Sequence, residues 1–242
     1  VSTANMSHDR PSVMPSTAHR RRRTVWRRFR RHRMALLGTI IVGLFGLAAL
    51  LAPWIAWYDP NAIDLDNPRI APNWDHILGT DRGGRDVFAR LLFAGRVSLS
   101  VGVVAAIISA VIGSSVGLVS GYVGGWVDNL LQRFTELVMT FPTFFAIIIV
   151  ISLLGPSIFN VMYVIGVFGW TGTSRLVRGQ VLSIKEMEYV TAARAVGATD
   201  RRVAFVHVFP GVVPFVIVSA TLTLAGAILT ESALSFLGLG AV

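Results

Sequence analysis

Cysteine is absent from the 242 residues, and lysine occurs once, as Lys185 in "SIKE". Without cysteine there are no disulfides and no thiolate metal sites. The G-x-x-x-x-G-K-[ST] loop, whose lysine reaches the terminal phosphates of ATP, is missing. So are a nucleophile elbow and an H-E-x-x-H run, and His8, His19, His32, His76 and His207 show no metal-ligand spacing. No catalytic site, metal site or cofactor of its own is therefore expected in this chain. Acidic residues are also scarce, 13 against 22 Lys and Arg, for a net charge of +9.

What abounds is apolar sequence, 53% of the chain, with a mean hydropathy of +0.64. Apolar runs of roughly 18 residues or more mark membrane-crossing helices. Five are read: 34–57, 97–122, about 137–154, a short glycine-interrupted 158–170, and about 212–236. The expectation is an all-α membrane protein, a polytopic helical bundle. Five spans leave the C-terminus across the membrane from the N-terminus, so a sixth span is expected beyond 242.

The basic residues are unevenly placed. Ten Arg precede Met34, nine of them in "HRRRRTVWRRFRRHR" after the Ser/Pro-rich, disorder-prone start. "WRRFRR" also suggests a twin-arginine signal, but the apolar run after it has 24 residues, against roughly 7–15 for a signal core. A retained first span is favoured. Segments on the N-terminal side hold 17 of the Lys and Arg, and segment 58–96 on the other side holds five, matched there by six Asp. The positive-inside rule then puts the N-terminus in the cytoplasm. The organisation read is a cytoplasmic tail (1–33), a first span (34–57), an extracytoplasmic segment (58–96) and a core (97–242). In 58–96, Thr80 or Asp81 as a cap, an Asp86/Arg90 pair and the apolar pairs Val87/Leu91 and Phe88/Leu92 predict a short interfacial helix.

The most patterned polar stretch lies at 183–211. Ser183 and Glu186 fit a capping box, predicting a helix from Ile184. Gly197 fits the left-handed residue after a helix end. Thr199 or Asp200 can cap a second helix over "RRVAFVHVF", which Pro210 is expected to stop. Ala192, Ala193 and Ala195 form a small-residue surface, with Arg194, Arg201 and Arg202 around the turn. A DNA-reading helix-turn-helix has the same outline, but this one is about 40 residues between two spans and has no third helix; nucleic-acid binding is not expected.

This stretch resembles the EAA loop of ABC-importer permeases, E-A-A-x3-G-x9-I-x-L-P. Thr191-Ala192-Ala193, Gly197 and His207-Val208-Phe209-Pro210 keep the spacing, with Thr191, His207 and Phe209 replacing Glu, Ile and Leu. "HILGTDRGGRDVFARLLFAGRVSLSVG" (76–102) is similar to the segment before the second span of C-type permeases for dipeptides, oligopeptides and nickel. The resemblance implies a type I importer permease in a bacterial inner membrane. It also implies a second permease, two ATPase subunits that bind ATP and Mg, and an extracytoplasmic solute-binding protein. Its ATPase-coupling residues would be Thr191, Ala192, Ala193, Gly197, Asp200, Arg201, His207 and Pro210. Peptides are the expected substrate, with nickel or another small solute as the alternative.

Three further features stand out. Gly113, Gly117 and Gly121 form a GxxxGxxxG packing face, inside the subunit or against a partner. Glu136 is expected to pair with Arg133 at the interface. Glu231, deeper in the last span, lines either a pathway or a structural cavity. A secondary transporter remains the rival, though the internal repeats it would show are not evident.

Overall fold

A computed structural model describes residues 29–240. Most of the Arg-rich tail, and the expected sixth span, lie outside the described residues. The chain divides into two units, Val1–Ala48 and Ala49–Val242. In the first, helix α1 (Arg33–Leu50) carries no charge after Arg33. His32 begins it, its ring Nδ1 accepting the Ala35 N–H at 3.3 Å, which satisfies one donor left over at a helix start.

In the second unit, a short helix α2 (Ala52–Ile55) precedes α3 (Val87–Val123). At 37 residues and a rise of 1.5 Å each, α3 is about 55 Å long and exceeds a bilayer core. The expected interfacial helix is not separate: its apolar pairs are the first turns of α3. The reason is the cap, Asp86 rather than Thr80 or Asp81, whose Oδ1 accepts the Ala89 N–H at 2.6 Å. Asp86 is buried and meets His76 Nδ1 at 2.9 Å through its other oxygen. Arg90 therefore pairs with Asp81, not with Asp86.

Residues 58–86 form a loop without regular elements. Thr80 is buried at its centre: it donates to Asn67 O and accepts from Ile70 N. Asp81 accepts from Gly83 N and Arg85 N. The bond from Arg85 N, followed by that from Gly83 and the charges of Arg90 and Arg85, holds the Asp81 carboxyl below its ordinary value against a smaller desolvation effect.

The 124–133 connection is itself helical. α4 (Gly125–Thr140) breaks at Phe141-Pro142 into α5 (Thr143–Leu154) with an 80° bend. Phe141 is extended, as a residue before proline prefers. α6 (Ile158–Phe168) turns at Gly169 into α7 (Trp170–Ile184); α8 (Glu188–Ala195), α9 (Asp200–Arg202), a π-helical stretch (Val203–Val208) and α10 (Phe209–Phe236) complete the chain. No strand occurs among the described residues. Among them, α1, α3 and Asp200–Phe236 are long and apolar enough to cross a membrane, with α4–α5 as a fourth span if the bent pair counts as one.

Two sequence expectations fail here. Ser183 and Glu186 do not start a helix: α7 runs through Ser183 and ends at Ile184, and Met187 begins α8 without a side-chain cap. Val177, Val181 and Ile184 are buried in the core and hold α7 helical through that point. Pro210 does not stop a helix either, because it occupies the first turn of α10. Just before it, Phe209 N–H bonds back five residues to Ala204 O. Proline has no N–H to place, and the wide π turn accommodates its ring.

The core is built on α3 in two clusters. Val101 and Ala105 pack with Ile147, Ile151, Val161, Ile165 and Leu234. Leu118 packs with Val177, Val181, Val190, Val203 and Val212. Beside the second cluster, Gly113, Gly117 and Gly121 meet α7 backbone to backbone. A Cβ would stand 2.7 Å from Trp170 O at Gly113, 2.5 Å from Ser174 O at Gly117 and 3.0 Å from Arg178 O at Gly121. The glycine face thus packs within the chain.

Candidate functional site

The EAA-like residues are gathered at the end of α3 that carries Tyr122. Val190, fully buried, anchors α8 in the second core cluster, a burial of about 2 kcal/mol. At the far end of α8, Gly197 N bonds Arg194 O (2.9 Å) and Ala198 N bonds Ala193 O (3.1 Å). These two bonds, with Gly197 at φ +87°, make a Schellman terminus that satisfies carbonyls the helix leaves open. Thr199, extended, precedes α9, and its carbonyl accepts from Val203 N at 2.9 Å. Its side chain makes no cap.

A feature with no sequence signal ties this turn to the bundle. Tyr122, next to last in α3, donates to Asp200 Oδ1 at 2.9 Å, and Arg194 lies 5.6 Å from its ring centroid. Tyr189 OH donates to His207 O at 3.2 Å. Neighbouring polar contacts brace the same end: Arg178 forks onto Asp128 through two bonds of 2.6 Å, and Lys185 Nζ donates to Gly121 O at 3.0 Å. Ser120 also donates to Asp128 and accepts from Gln132 at 2.9 Å. Sequence separations of 50 to 78 residues hide the Tyr122, Arg178 and Lys185 ties from local pattern reading.

Facing away from the core, Thr191, Ala192, Asp200 and Arg201 are exposed, and Val196 is 88% exposed. Thr191 hydrogen-bonds its own helix, to Met187 O at 3.4 Å. A groove of about 470 Å³ opens between α8 and the π stretch, lined by Ala193, Val196, Gly197, Ala198, Thr199, Arg202 and His207. Pro210 stands at the foot of α10, outside that lining. Among the described residues no group of three or more His, Asp or Glu is placed to hold a metal ion.

The other two acids are separate from this surface. Glu136 meets Arg133 at 3.3 Å, both exposed. Glu231, only 4% exposed, accepts from Ser98 and Ser235, each at 2.7 Å. Both its oxygens are engaged between α3 and α10, away from any open surface of this chain.

The family profile described as the inner membrane component of binding-protein-dependent transport systems matches residues 113–242, more than half of the chain. This chain is an ABC-importer permease. A second profile, the N-terminal TM domain of oligopeptide transport permease C, matches residues 21–72 of the permease. The permease is 39% identical over 232 residues to the glutathione transport system permease protein GsiD of Shigella dysenteriae serotype 1, covering 96% of this chain and 77% of that one. Its counterparts in Shigella flexneri serotype 5b and Escherichia coli O157:H7 are 40% and 38% identical over the same coverage. The permease is thus a multi-pass inner-membrane protein of the peptide importer family, whose permease subunits carry no ATPase site of their own.

Proposed function

We propose that this permease forms part of the membrane pathway for a peptide-type solute of glutathione size, with the surface around α8 and Gly197 as the seat for a separate ATPase. A second permease completes the pathway, two ATPase subunits bind the ATP and Mg, and a solute-binding protein delivers substrate on the opposite side. The excess of Arg on the N-terminal side supports a cytoplasmic N-terminus. The same excess, which includes the Lys and Arg of 175–202, supports a cytoplasmic α8, on the side where ATPases reside. The peptide-type substrate follows from the names of the relatives.

The observation that carries the coupling role is the rigid attachment of the turn. α8 ends in a Schellman motif, Tyr122 clamps the turn after it through Asp200, and α9 runs on through the π stretch into α10, so the turn is tied to both α3 and α10 and does not absorb a push by bending. When the ATPases close, displacement of α8 passes to α3 and α10, and the pathway switches the side on which it is open.

Gly197→Val tests this. No atom lies within 4 Å of a Cβ there, so the harm comes from φ +87° rather than crowding, about 1–2 kcal/mol of local strain. The reconstituted complex should lose most transport and most solute-stimulated ATP hydrolysis while the variant still inserts. Wild-type levels of both would refute the coupling role.

A further inference from the structure

α7 buries Trp170, Thr173, Ser174, Val177, Val181 and Ile184 and turns Arg175 outward. Arg175 follows Ser174, whose carbonyl is level with Gly117 on α3. Gly117 lies six residues inside the end of α3 at Val123, about 9 Å at the helical rise. The guanidinium is therefore rooted within the depth of an apolar span. A cation there is costly unless it is paired or wet.

Three other cations on this side of the bundle have oxygen partners, whereas Arg194, Arg201 and Arg202 are exposed around the turn beyond the end of α3. Arg178 is forked onto Asp128, Arg133 meets Glu136, and Lys185 donates to Gly121 O. Arg175 has no carboxylate partner among the described residues. Its one hydrogen bond runs from Nη1 to the Met139 thioether at 3.6 Å, a weak acceptor. One turn to either side lie Gly172 and Gly179, with nothing within 4 Å of where a Cβ would be, so no side chain of α7 crowds the guanidinium. A five-donor fork with room in front of it suits a planar carboxylate.

We infer that Arg175 is a specificity-determining residue of the pathway, pairing with the carboxylate of the passing peptide. This rests on the peptide-type substrate proposed above. The pairing is transient: Met139 shares the fork when the site is empty and is too weak an acceptor to hold it when a carboxylate arrives.

The test uses the complete complex in liposomes, with trialanine and its C-terminal amide as probes, each at a concentration that saturates the binding protein. Transport of each is measured for wild type and for Arg175→Gln. Loss of a charge-assisted pair predicts that the acid-to-amide rate ratio falls about tenfold or more in the variant, with the amide rate close to wild type. Arg175→Lys, keeping the charge without the fork, should fall between them. Membrane amount and co-purification with the second permease are read in parallel. Unchanged rates in Arg175→Gln overturn the inference. So does an equal fall of both rates, with or without loss of the second permease, since it marks a structural, lipid-anchoring or subunit contact. Failure of wild type to carry trialanine while it carries a non-peptide solute instead sinks the peptide reading, and this inference with it.

Discussion

The two ends of α3 solve one problem in opposite ways. Where α3 begins, at Asp86, the chain arrives from a loop held by side chains bonded to nearby backbone, with Asp86, Asp81 and Thr80 as its nodes. Where α3 ends, at Val123, the neighbouring elements are held by close backbone packing along a glycine face and by long-range ties through Tyr122, Asp128 and Lys185. A local web gives a shaped surface that need not transmit force. Long-range ties make several helices move together, which is what a surface pushed by another subunit requires.

Four substitutions or conditions sharpen that contrast. The largest effect belongs to the glycine face. Gly117→Leu sets a side chain against the Ser174 carbonyl, which is backbone and cannot rotate away. Overpacking of about 3 kcal/mol or more should sharply lower the amount of folded permease in membranes and its melting temperature in detergent. An unchanged melting temperature would mean that α3 and α7 are not tightly packed. Next comes Asp128→Ala, which strands Arg178 with no second carboxylate partner among the described residues. A loss of about 2 kcal/mol, discounted for the part-exposed guanidinium, should appear as a lower melting temperature, and Arg178→Met on top should recover part of it. Tyr122→Phe removes the bond to Asp200 and leaves the ring under Arg194, so it should cost about 1 kcal/mol. Its signature is faster proteolysis or amide exchange within Glu188–Arg202, with the bundle itself unaffected.

The smallest effect lies at the other end. Asp81 has a folded-state carboxyl below its ordinary value of 3.8, chiefly because Arg85 N–H donates to it. A lowered value means a contribution present above the unfolded value and lost as pH falls through the folded one. Loop 58–86 should therefore become protease-sensitive in acid below about pH 4 while α8 stays protected, and Asp81→Asn should be equally sensitive at neutral pH. If α8 opens in the same pH range, the two ends are not independent.

How much was legible beforehand differs by feature. Gly197 was readable because a left-handed residue after a helix end leaves a local signature, and apolar runs of span length need no partner to be recognised. Ser183 and Glu186 misled for the same local reason: the S-x-x-E pattern is present, but the burial of Val181 and Ile184 keeps Ser183 inside α7, which ends within the pattern at Ile184. Pro210 misled because a π turn upstream, invisible in composition, lets the helix pass. Asp86 was seen as half of an i,i+4 pair, whereas His76, brought in by the folding of the loop, claims it. Glu231 was recognisable as an acid inside a span, but its burial and its two serine donors, one of them 133 residues away, were not.

The sequence by itself determined that this is a helical membrane permease with a capped turn at Gly197, because apolar length and turn chemistry are written in short windows. The tertiary structure alone decided that the glycines of α3 face α7, that Tyr122 fastens the turn, and that among the described residues Arg175 is left without a carboxylate while Arg178 has one. Those outcomes depend on which helix faces which, and a side chain's partner across 50 residues is fixed by packing, not by its neighbours in the chain.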